Sequence, residues 1–276
     1  MTLPNFVIVG AMKAGTSSFA LTLRHHPQIF LPRKEVHFFD SGYWYSKGLD
    51  HYASYFAGAN GALAIGEKTP TYSIGAEVPE RMHKAIPNAK LIWVFREPVA
   101  RAYSHYWFFV SKGKEPLSFK EALAREAAGE TTDRTMHYRD RSAYAAQVER
   151  FLAYYPRENM LFLLFEDLVR DHHAVLKRTC EFLGVDPDFR FSDTLEKENA
   201  TKIPRSQIVQ STAYRLFHKK GIRVLRWITA VNRRLGAEKY PPMDAEIKAE
   251  LRAFYAPHNA RLAEITGLDV SVWGKR

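Results

Sequence analysis

The chain of 276 residues is long enough to bury a large core, and its 46% hydrophobic and 25% charged residues exclude wholesale disorder. The single cysteine, Cys180, excludes an intrachain disulfide framework and a metal site built from cysteines. The 40 lysines and arginines against 30 acidic residues leave a net charge of +10, which favours an anionic partner such as a phosphate, an acidic glycan, a nucleic acid or a lipid surface.

Short apolar runs alternate along the chain with segments of helical periodicity. The predicted strands are residues 5–9, 62–66, 90–95 and 159–165. The predicted helices are residues 16–26, 98–110, 142–154 and 174–183. Because continuous apolar strands separated by helices are typical of sheets covered on both faces, this order predicts a single α/β domain over 1–276, with a central, mostly parallel sheet and helices on both faces.

The amino terminus is typical of neither a membrane span nor a signal peptide. No apolar run in the chain approaches the ~20 residues that a membrane helix needs. The first apolar stretch, 5–9, is short, follows no basic region and leads directly into a glycine-rich loop, so we interpret it as a core strand. We therefore expect a cytoplasmic protein, whose oligomeric state the sequence does not indicate.

A glycine-rich turn joins the first predicted strand to the first predicted helix. Gly10 and Gly15 have the spacing of the nucleotide-binding P-loop, but Thr16 stands where that motif has its lysine, and the lysine of this turn is Lys13. Such a turn directs backbone N–H groups and a helix N-terminus at one point, where phosphate or sulfate binds well. The turn predicts a P-loop-like anion site, and an ordinary tight turn is the alternative.

A second anion-binding position follows the predicted strand 90–95. Arg96 lies at the carboxyl end of this strand, where open α/β sheets bind ligands, and its planar guanidinium group suits a phosphate. Ser104 lies two turns into the next predicted helix and could bind the same phosphate. A surface arginine and a solvent-facing serine are the alternative.

Two neighbouring residues could accept a proton from a substrate. Glu35 and His37 are two positions apart, so their side chains point the same way if the segment is extended. Either group can act as a general base. The alternative is that Glu35 pairs with Arg33 or Lys34 on a solvated loop.

Residues 201–240 form a basic segment with a single acid, Glu238. Its basic residues are Lys202, Arg205, Arg215, Lys219, Lys220, Arg223, Arg226, Arg233, Arg234 and Lys239. Its apolar residues at helical spacing are Tyr214, Phe217, Val224, Ile228, Val231 and Leu235, with Leu225 and Trp227 beside them. Because Gly221 interrupts the pattern, one long helix or two short ones both fit. The segment is either an amphipathic lid over the core with a solvated basic face, or a basic rim that guides an acidic glycan or a lipid of an anionic membrane.

Several segments together resemble the sulfotransferases that use 3′-phosphoadenosine 5′-phosphosulfate (PAPS), above all the Golgi heparan sulfate sulfotransferases. The matching segments keep the family's order and cover nearly the whole chain. They are the glycine-rich turn 10–18, 34–40 (KEVHFFD), 67–72 (EKTPTY), 95–104 (FREPVARAYS), 165–168 (FEDL) and 254–259 (FYAPHN).

The resemblance implies transfer of the sulfuryl group of PAPS to an acceptor hydroxyl, without a required metal. The donor would contact Lys13, Ala14, Gly15, Thr16, Ser17 and Ser18 at its 5′ end, and Arg96 and Ser104 at its 3′-phosphate. The resemblance assigns the general base to Glu35, with His37 and Asp40 helping to form the site. Lys68 would contact the acceptor or the transferring group, and a structural lysine is an equal alternative.

The chain also departs from the family. The glycine- and lysine-rich loop that closes over the 3′-phosphate has no equivalent in residues 233–240. Either Arg233 and Arg234 replace it, or the segment 199–206, which contains Lys202 and Arg205, supplies the cation. The disulfide of the animal enzymes and the Golgi membrane anchor are also missing, which predicts a soluble relative of bacterial type.

The acceptor is the least defined part of the prediction. We expect a hydroxyl of a carbohydrate or glycolipid, with a lipid, polyketide or phenolic hydroxyl as the alternative, and a peripheral contact with an anionic membrane in addition. A P-loop kinase is disfavoured because no lysine follows Gly15. A nucleic-acid-binding protein would use the basic segment but would leave Glu35, Lys68 and Arg96 unexplained, so we expect no nucleic acid partner.

Overall fold

The computed structural model describes residues 1–194, 203–218, 221–237 and 240–275. The predictions for Lys202, Lys219, Lys220, Glu238 and Lys239 fall outside these ranges. The strands are β1 (Phe6–Gly10), β2 (Ile29–Phe30), β3 (Ala64–Lys68), β4 (Lys90–Phe95) and β5 (Met160–Leu164). The α-helices are α1 (Thr16–Leu23), α2 (Gly42–Tyr45), α3 (Gly48–Ser54), α4 (Val78–Ala85), α5 (Pro98–Ser111), α6 (Phe119–Ala127), α7 (Tyr144–Leu152), α8 (Phe165–Arg170), α9 (His172–Leu183), α10 (Gln207–Phe217), α11 (Ile222–Arg234) and α12 (Ala245–Thr266).

The strands form one parallel sheet in the order β2-β3-β1-β4-β5. Every residue of β1 and β5 is buried, as expected for strands of a parallel sheet covered on both faces. The predicted α/β class, with a parallel central sheet flanked by helices, is confirmed. The short edge strand β2 and helices such as α4 and α6 were not predicted, because their apolar runs are too short or too interrupted to stand out.

The strand order places a ligand-binding edge beside β1. The chain runs from β1 to β2 and β3 on one side, and then crosses to β4 and β5 on the other side. Ligands of open α/β sheets bind outside the carboxyl ends of the strands at such a reversal. Here that edge is formed by the residues that follow Gly10, Lys68 and Phe95.

The contacts within the chain define two compact units. The first unit contains Met1–Glu97, Tyr144–Asn199 and His258–Arg276, and so holds the whole sheet. The second unit contains Pro98–Ala143 and Ala200–Pro257. The single domain over 1–276 stays a prediction.

The second unit corrects the prediction for the basic segment. Its described part forms two helices, α10 and α11, separated by Gly221 at φ 118°. The buried residues of α11 are Leu225, Thr229 and Asn232, whereas Val224, Val231 and Leu235 are exposed. The predicted apolar stripe is therefore not the buried face of this helix, and Asn232 on the buried face donates a hydrogen bond to Gln210 of α10.

Among the described helices, none combines the length and the apolar character that crossing a membrane would require.

Candidate active site

The glycine-rich turn leads from the end of β1 to the start of α1. Lys13 and Gly15 both adopt positive φ, at 70° and 83°. A Cβ atom on Gly15 would lie 2.6 Å from the ring of Phe165, so no other residue fits this position without displacing that ring. Helix α1 begins at Thr16 with no acidic residue in its first turn, so its N-terminus offers backbone N–H groups and a favourable dipole to an anion.

Arg96 is oriented toward this turn by two contacts. Its Nη1 donates a hydrogen bond to the carbonyl oxygen of Lys13 at 3.2 Å. Its guanidinium carbon lies 4.9 Å from the ring centre of Phe165, the ring that also packs against Gly15. The hydroxyl of Tyr144 donates to the carbonyl oxygen of Arg96 at 2.9 Å. The turn and the predicted phosphate-binding arginine are therefore adjacent in the first unit.

Lys68 connects the glycine-rich turn to the predicted base. This residue ends β3, and its side chain is buried. Its Nζ donates to Ser17 Oγ at 3.0 Å and to Glu35 Oε1 at 2.7 Å. Glu35 is thus paired with Lys68, and not with Arg33 or Lys34 as the alternative prediction held.

His37 lies between two carboxylates. Its Nε2 is 3.3 Å from Glu35 Oε2, and its Nδ1 is 3.1 Å from Asp40 Oδ2. Thr71 Oγ1 donates to the same Asp40 oxygen at 2.5 Å. Glu35 and His37 meet as predicted, but not in an extended segment, because His37 has φ 52°.

The charges of this cluster follow from its geometry. Burial alone would raise the pKa of Glu35, but the hydrogen bond from His37 and the charge of Lys68 lower this pKa below its ordinary 4.5. The hydrogen bond to Asp40, assisted by the one to Glu35, raises the pKa of His37 from 6.5 to about 10. At neutral pH the cluster therefore presents an ionised Glu35 carboxylate beside two cations.

A buried carboxylate supports the segment that carries these residues. Glu67 accepts hydrogen bonds from Tyr52 OH at 2.6 Å, Tyr72 OH at 3.1 Å and Thr69 Oγ1 at 2.8 Å. Burial raises the pKa of Glu67 from 4.5 to about 7.

Two of the three hydroxyl groups that donate to Glu67 also accept hydrogen bonds from the segment 36–39. Thr69 Oγ1 accepts the backbone N–H groups of Val36 at 3.2 Å and His37 at 3.4 Å. Tyr72 OH accepts those of Phe38 at 2.9 Å and Phe39 at 3.3 Å. Glu67 thereby fixes the position of the backbone from which Glu35 and His37 project, through two hydroxyl groups.

The second unit contains the other two predicted donor-binding residues. Ser104 is buried in α5, and its hydroxyl lies 3.2 Å from the hydroxyl of Tyr240. Arg205 is exposed and directly precedes Ser206, the N-cap residue of α10. Its backbone N–H donates a hydrogen bond to the carbonyl oxygen of Asn232 at 2.9 Å. A contact of either residue with the donor stays a prediction.

Within the described residues, one group of three potential metal ligands lies together: Glu126, His137 and Asp140. The carboxylate of Glu126 already accepts three backbone N–H groups, from Tyr138, Arg139 and Asp140, at 2.7–2.9 Å. This group therefore fixes the loop after α6, and its geometry requires no ion.

Sequence reasoning missed several residues of the site. Thr69 and Tyr72 lie in the segment 67–72 that carried the resemblance, but their hydroxyl groups act on a segment more than 30 positions away. Thr71 and Phe165 were also missed. The only sequence indication for any of them was their place inside a matching motif.

Three comparisons with known proteins point to one family. A family model for the sulfotransferase domain matches residues 3–261. The human heparan sulfate glucosamine 3-O-sulfotransferase 6 is 31% identical over 281 residues, which cover 98% of this chain and 74% of that protein. The crystal structure of a sulfotransferase from Alicyclobacillus acidocaldarius matches with a TM-score of 0.75 and 31% identity, covering 100% of both chains.

The chain belongs to the sulfotransferase family. The human heparan sulfate glucosamine 3-O-sulfotransferases 3B1 and 3A1 are each 29% identical to it over 272 residues. The chain spans 64% and 62% of the lengths of these two relatives. The resemblance stated from the motifs is confirmed.

Proposed function

We propose that this protein transfers the sulfuryl group of PAPS to a hydroxyl group of a carbohydrate acceptor. The observation that carries the proposal is the pair of hydrogen bonds from Lys68 Nζ, one to Ser17 of the glycine-rich turn and one to Glu35. These bonds join the anion-binding turn to a carboxylate that can accept a proton. Sulfuryl transfer needs this proximity, because the donor and the acceptor must be aligned within one site.

The donor would bind along the edge of the sheet in the first unit. The backbone N–H groups at Gly15, Thr16 and Ser17 suit its 5′-phosphate, and Ala14 and Ser18 complete the turn. Arg96 suits its 3′-phosphate, because the contacts with Lys13 and Phe165 already orient the guanidinium group. That Ser104 and Arg205 also bind the donor stays a prediction. No residue in this proposal requires a metal.

The acceptor reaction follows from the charges around Glu35. A new bond forms between the acceptor oxygen and sulfur while the bond from sulfur to the 5′-phosphate oxygen breaks. The acceptor proton passes to the Glu35 carboxylate, and Lys13 stabilises the negative charge that develops on the departing phosphate oxygen. The cations of His37 and Lys68 orient the carboxylate and offset the charge of the transferring group.

The carbohydrate class rests on the relatives. Those with 29–31% identity are named as heparan sulfate glucosamine 3-O-sulfotransferases, so a sugar hydroxyl is the proposed acceptor. A glycolipid would offer the same group, and a lipid, polyketide or phenolic hydroxyl is the alternative acceptor. The cytoplasmic location and the peripheral membrane contact stay predictions.

The variant Glu35→Gln tests the proposed base. Glutamine keeps the size of the side chain but cannot take a proton, and loss of a general base typically lowers the rate by about 10²–10⁴. We expect this loss in sulfate transfer from labelled PAPS, measured over a panel of acceptors. Binding of adenosine 3′,5′-bisphosphate, measured by calorimetry, should persist.

The variant His37→Ala is the matched comparison. It should lower the rate less than Glu35→Gln does, because His37 orients the base without accepting the proton. If His37→Ala abolishes transfer while Glu35→Gln keeps most of it, the two roles are reversed. If no acceptor is sulfated although the bisphosphate binds, the proposed reaction is wrong.

A further inference from the structure

Helix α11 of the second unit presents an apolar stripe to solvent. Its exposed apolar side chains include Val224, Trp227 and Val231, with the exposed Leu235 directly after its last residue, and Trp227 is 69% exposed. These positions recur at three- and four-residue steps, so they lie on one side of the helix. An exposed tryptophan within such a stripe is costly in water unless something covers it.

Three faces follow one another around α11. The buried face contains Leu225, Thr229 and Asn232. At 100° per residue, the arc between the buried face and Trp227 contains three exposed arginines, Arg223, Arg226 and Arg234. The apolar stripe occupies the remaining arc, directly beside the arginines.

Polar contacts on the buried face fix this orientation. Asn232 Nδ2 donates to Ser206 O and to Gln210 Oε1, both at 2.8 Å. Gln210 Nε2 in turn donates to Ser111 O, at the end of α5, at 2.7 Å. Rotating α11 to bury Trp227 would break the two hydrogen bonds of Asn232, so the stripe stays on the outside.

The charge of this surface is of one sign. The described ranges 203–218 and 221–237 contain six arginines and no acidic residue. Helix α10 adds the exposed apolar residues Ile208, Val209 and Leu216, together with the exposed Arg215. A partner that covers this surface must therefore be apolar in one part and anionic in another.

We propose that the exposed face of α11 docks on an anionic membrane surface, with its apolar stripe among the lipid chains and its arginines at the headgroups. A helix with this division of residues lies in the plane of the membrane interface. The charge of the interface complements Arg223 and Arg226, and Trp227 is the residue type enriched at that depth. The docking site would bring the enzyme to acceptors displayed on membranes. The proposal of this docking site does not depend on the proposed transfer reaction.

Co-sedimentation of the full chain with lipid vesicles tests the docking site. Vesicles of phosphatidylserine with phosphatidylcholine should bind the protein, and vesicles of phosphatidylcholine alone should bind it weakly. The variant Arg223→Gln/Arg226→Gln should weaken binding by about 25-fold, since each arginine near an anionic surface contributes about fivefold. The variant Trp227→Gln/Val231→Gln should weaken it about tenfold or more.

Matched variants separate this surface from the general positive charge. Lys248→Gln/Arg252→Gln removes two exposed charges from α12, and Leu63→Gln/Val169→Gln removes two exposed apolar side chains of the first unit. Both controls should bind vesicles like the unmodified chain. All variants should keep bisphosphate binding and the unfolding temperature, which shows that they fold.

Four results would overturn the proposal. The first is equal binding to anionic and neutral vesicles, and the second is equal loss in the controls and in the α11 variants. The third is a dimer that Trp227→Gln/Val231→Gln dissociates, because a second copy would then cover the stripe. The fourth is binding to a soluble acidic glycan without binding to vesicles.

Discussion

At the scale of single residues, the cluster around His37 combines an ionised base with two cations. Asp40 does not contact Glu35 directly, but its hydrogen bond is the largest cause of the raised pKa of His37. The pH dependence of activity should therefore reflect both groups. Activity should fall at low pH as Glu35 becomes protonated, below its ordinary pKa of 4.5, and at high pH as His37 loses its proton near pH 10.

The variant Asp40→Asn should move the alkaline limit of activity toward neutral pH. Asparagine lacks the charge and the acceptor strength that keep His37 protonated, so the pKa of His37 should fall toward 6.5. The measurement is kcat/KM against pH. Thr71→Val is the control, since it removes a hydrogen bond to Asp40 but leaves its charge. An unchanged alkaline limit in Asp40→Asn would mean that the charge of His37 does not matter to the reaction.

Glu67 is expected to act on the same cluster through the backbone. In Glu67→Gln, one side-chain oxygen becomes an NH₂ donor, so a hydroxyl group that donated to it must turn away. We expect kcat to fall while bisphosphate affinity is retained, because the segment 36–39 loses its alignment but the glycine-rich turn does not.

The pH dependence of the free energy of unfolding tests the raised pKa of Glu67 in a second way. Its pKa is raised from 4.5 unfolded to about 7 folded, so its protonation stabilises the fold below pH 4.5, and this contribution is lost as pH rises through 7. Glutamine cannot titrate, so urea unfolding of Glu67→Gln should show a weaker pH dependence in this window. An unchanged dependence would show that another group titrates there.

At the scale of secondary-structure elements, the shape of the glycine-rich turn depends on its contact with Phe165, the first residue of α8. Gly15 begins α1 in the left-handed region, and the ring of Phe165 from α8 occupies the space where a side chain would lie. The same ring lies against the guanidinium group of Arg96. One aromatic contact therefore sets the shape of the turn and the direction of the arginine.

The variant Gly15→Ala should weaken bisphosphate binding more than it weakens the fold. It adds the strain of a positive φ, about 1 kcal/mol, and also a contact of 2.6 Å with Phe165. Gly184→Ala is a matched control, because Gly184 ends α9 at φ 78° with no atom near its added Cβ. Calorimetry and thermal unfolding compare the two variants. Equal affinity in both would show that the ring position does not control the donor site.

At the scale of the whole molecule, the net charge of +10 does not by itself distinguish a sulfotransferase from a kinase or a nucleic-acid-binding protein. A ligand that binds only the folded state raises the free energy of unfolding, by about 2.7 kcal/mol when its concentration is a hundred times Kd. The unfolding temperature rises as a result. Adenosine 3′,5′-bisphosphate should have this effect, whereas ATP with Mg²⁺ and duplex DNA should not.

Arg96→Ala should remove most of that stabilisation. A hydrogen bond to a charged group contributes roughly 1.5–3 kcal/mol, so the affinity for the bisphosphate should fall at least tenfold. Unchanged affinity would remove Arg96 from the phosphate site. Stabilisation by ATP with Mg²⁺ to the same degree would favour a kinase.

The class of the fold and the segments of the candidate site could be predicted from the sequence alone. Strands β1, β4 and β5 are continuous apolar runs, and a run of this kind has few places to lie other than inside a parallel sheet. The glycine-rich turn and the pair of Glu35 and His37 were found from short motifs, which carry their chemistry within a few neighbouring residues, and the resemblance assigned the base to Glu35.

The contacts between distant segments could not be predicted from the sequence, because they depend on how the folded chain brings those segments together. The pairing of Lys68 with Glu35 joins residues 33 positions apart, and the burial that raises the pKa of Glu67 depends on rings and hydroxyl groups from other elements. The outward stripe of α11 is the clearest case. Periodicity shows that a helix has an apolar face, but the hydrogen bonds of Asn232 with α10 determine which face is buried.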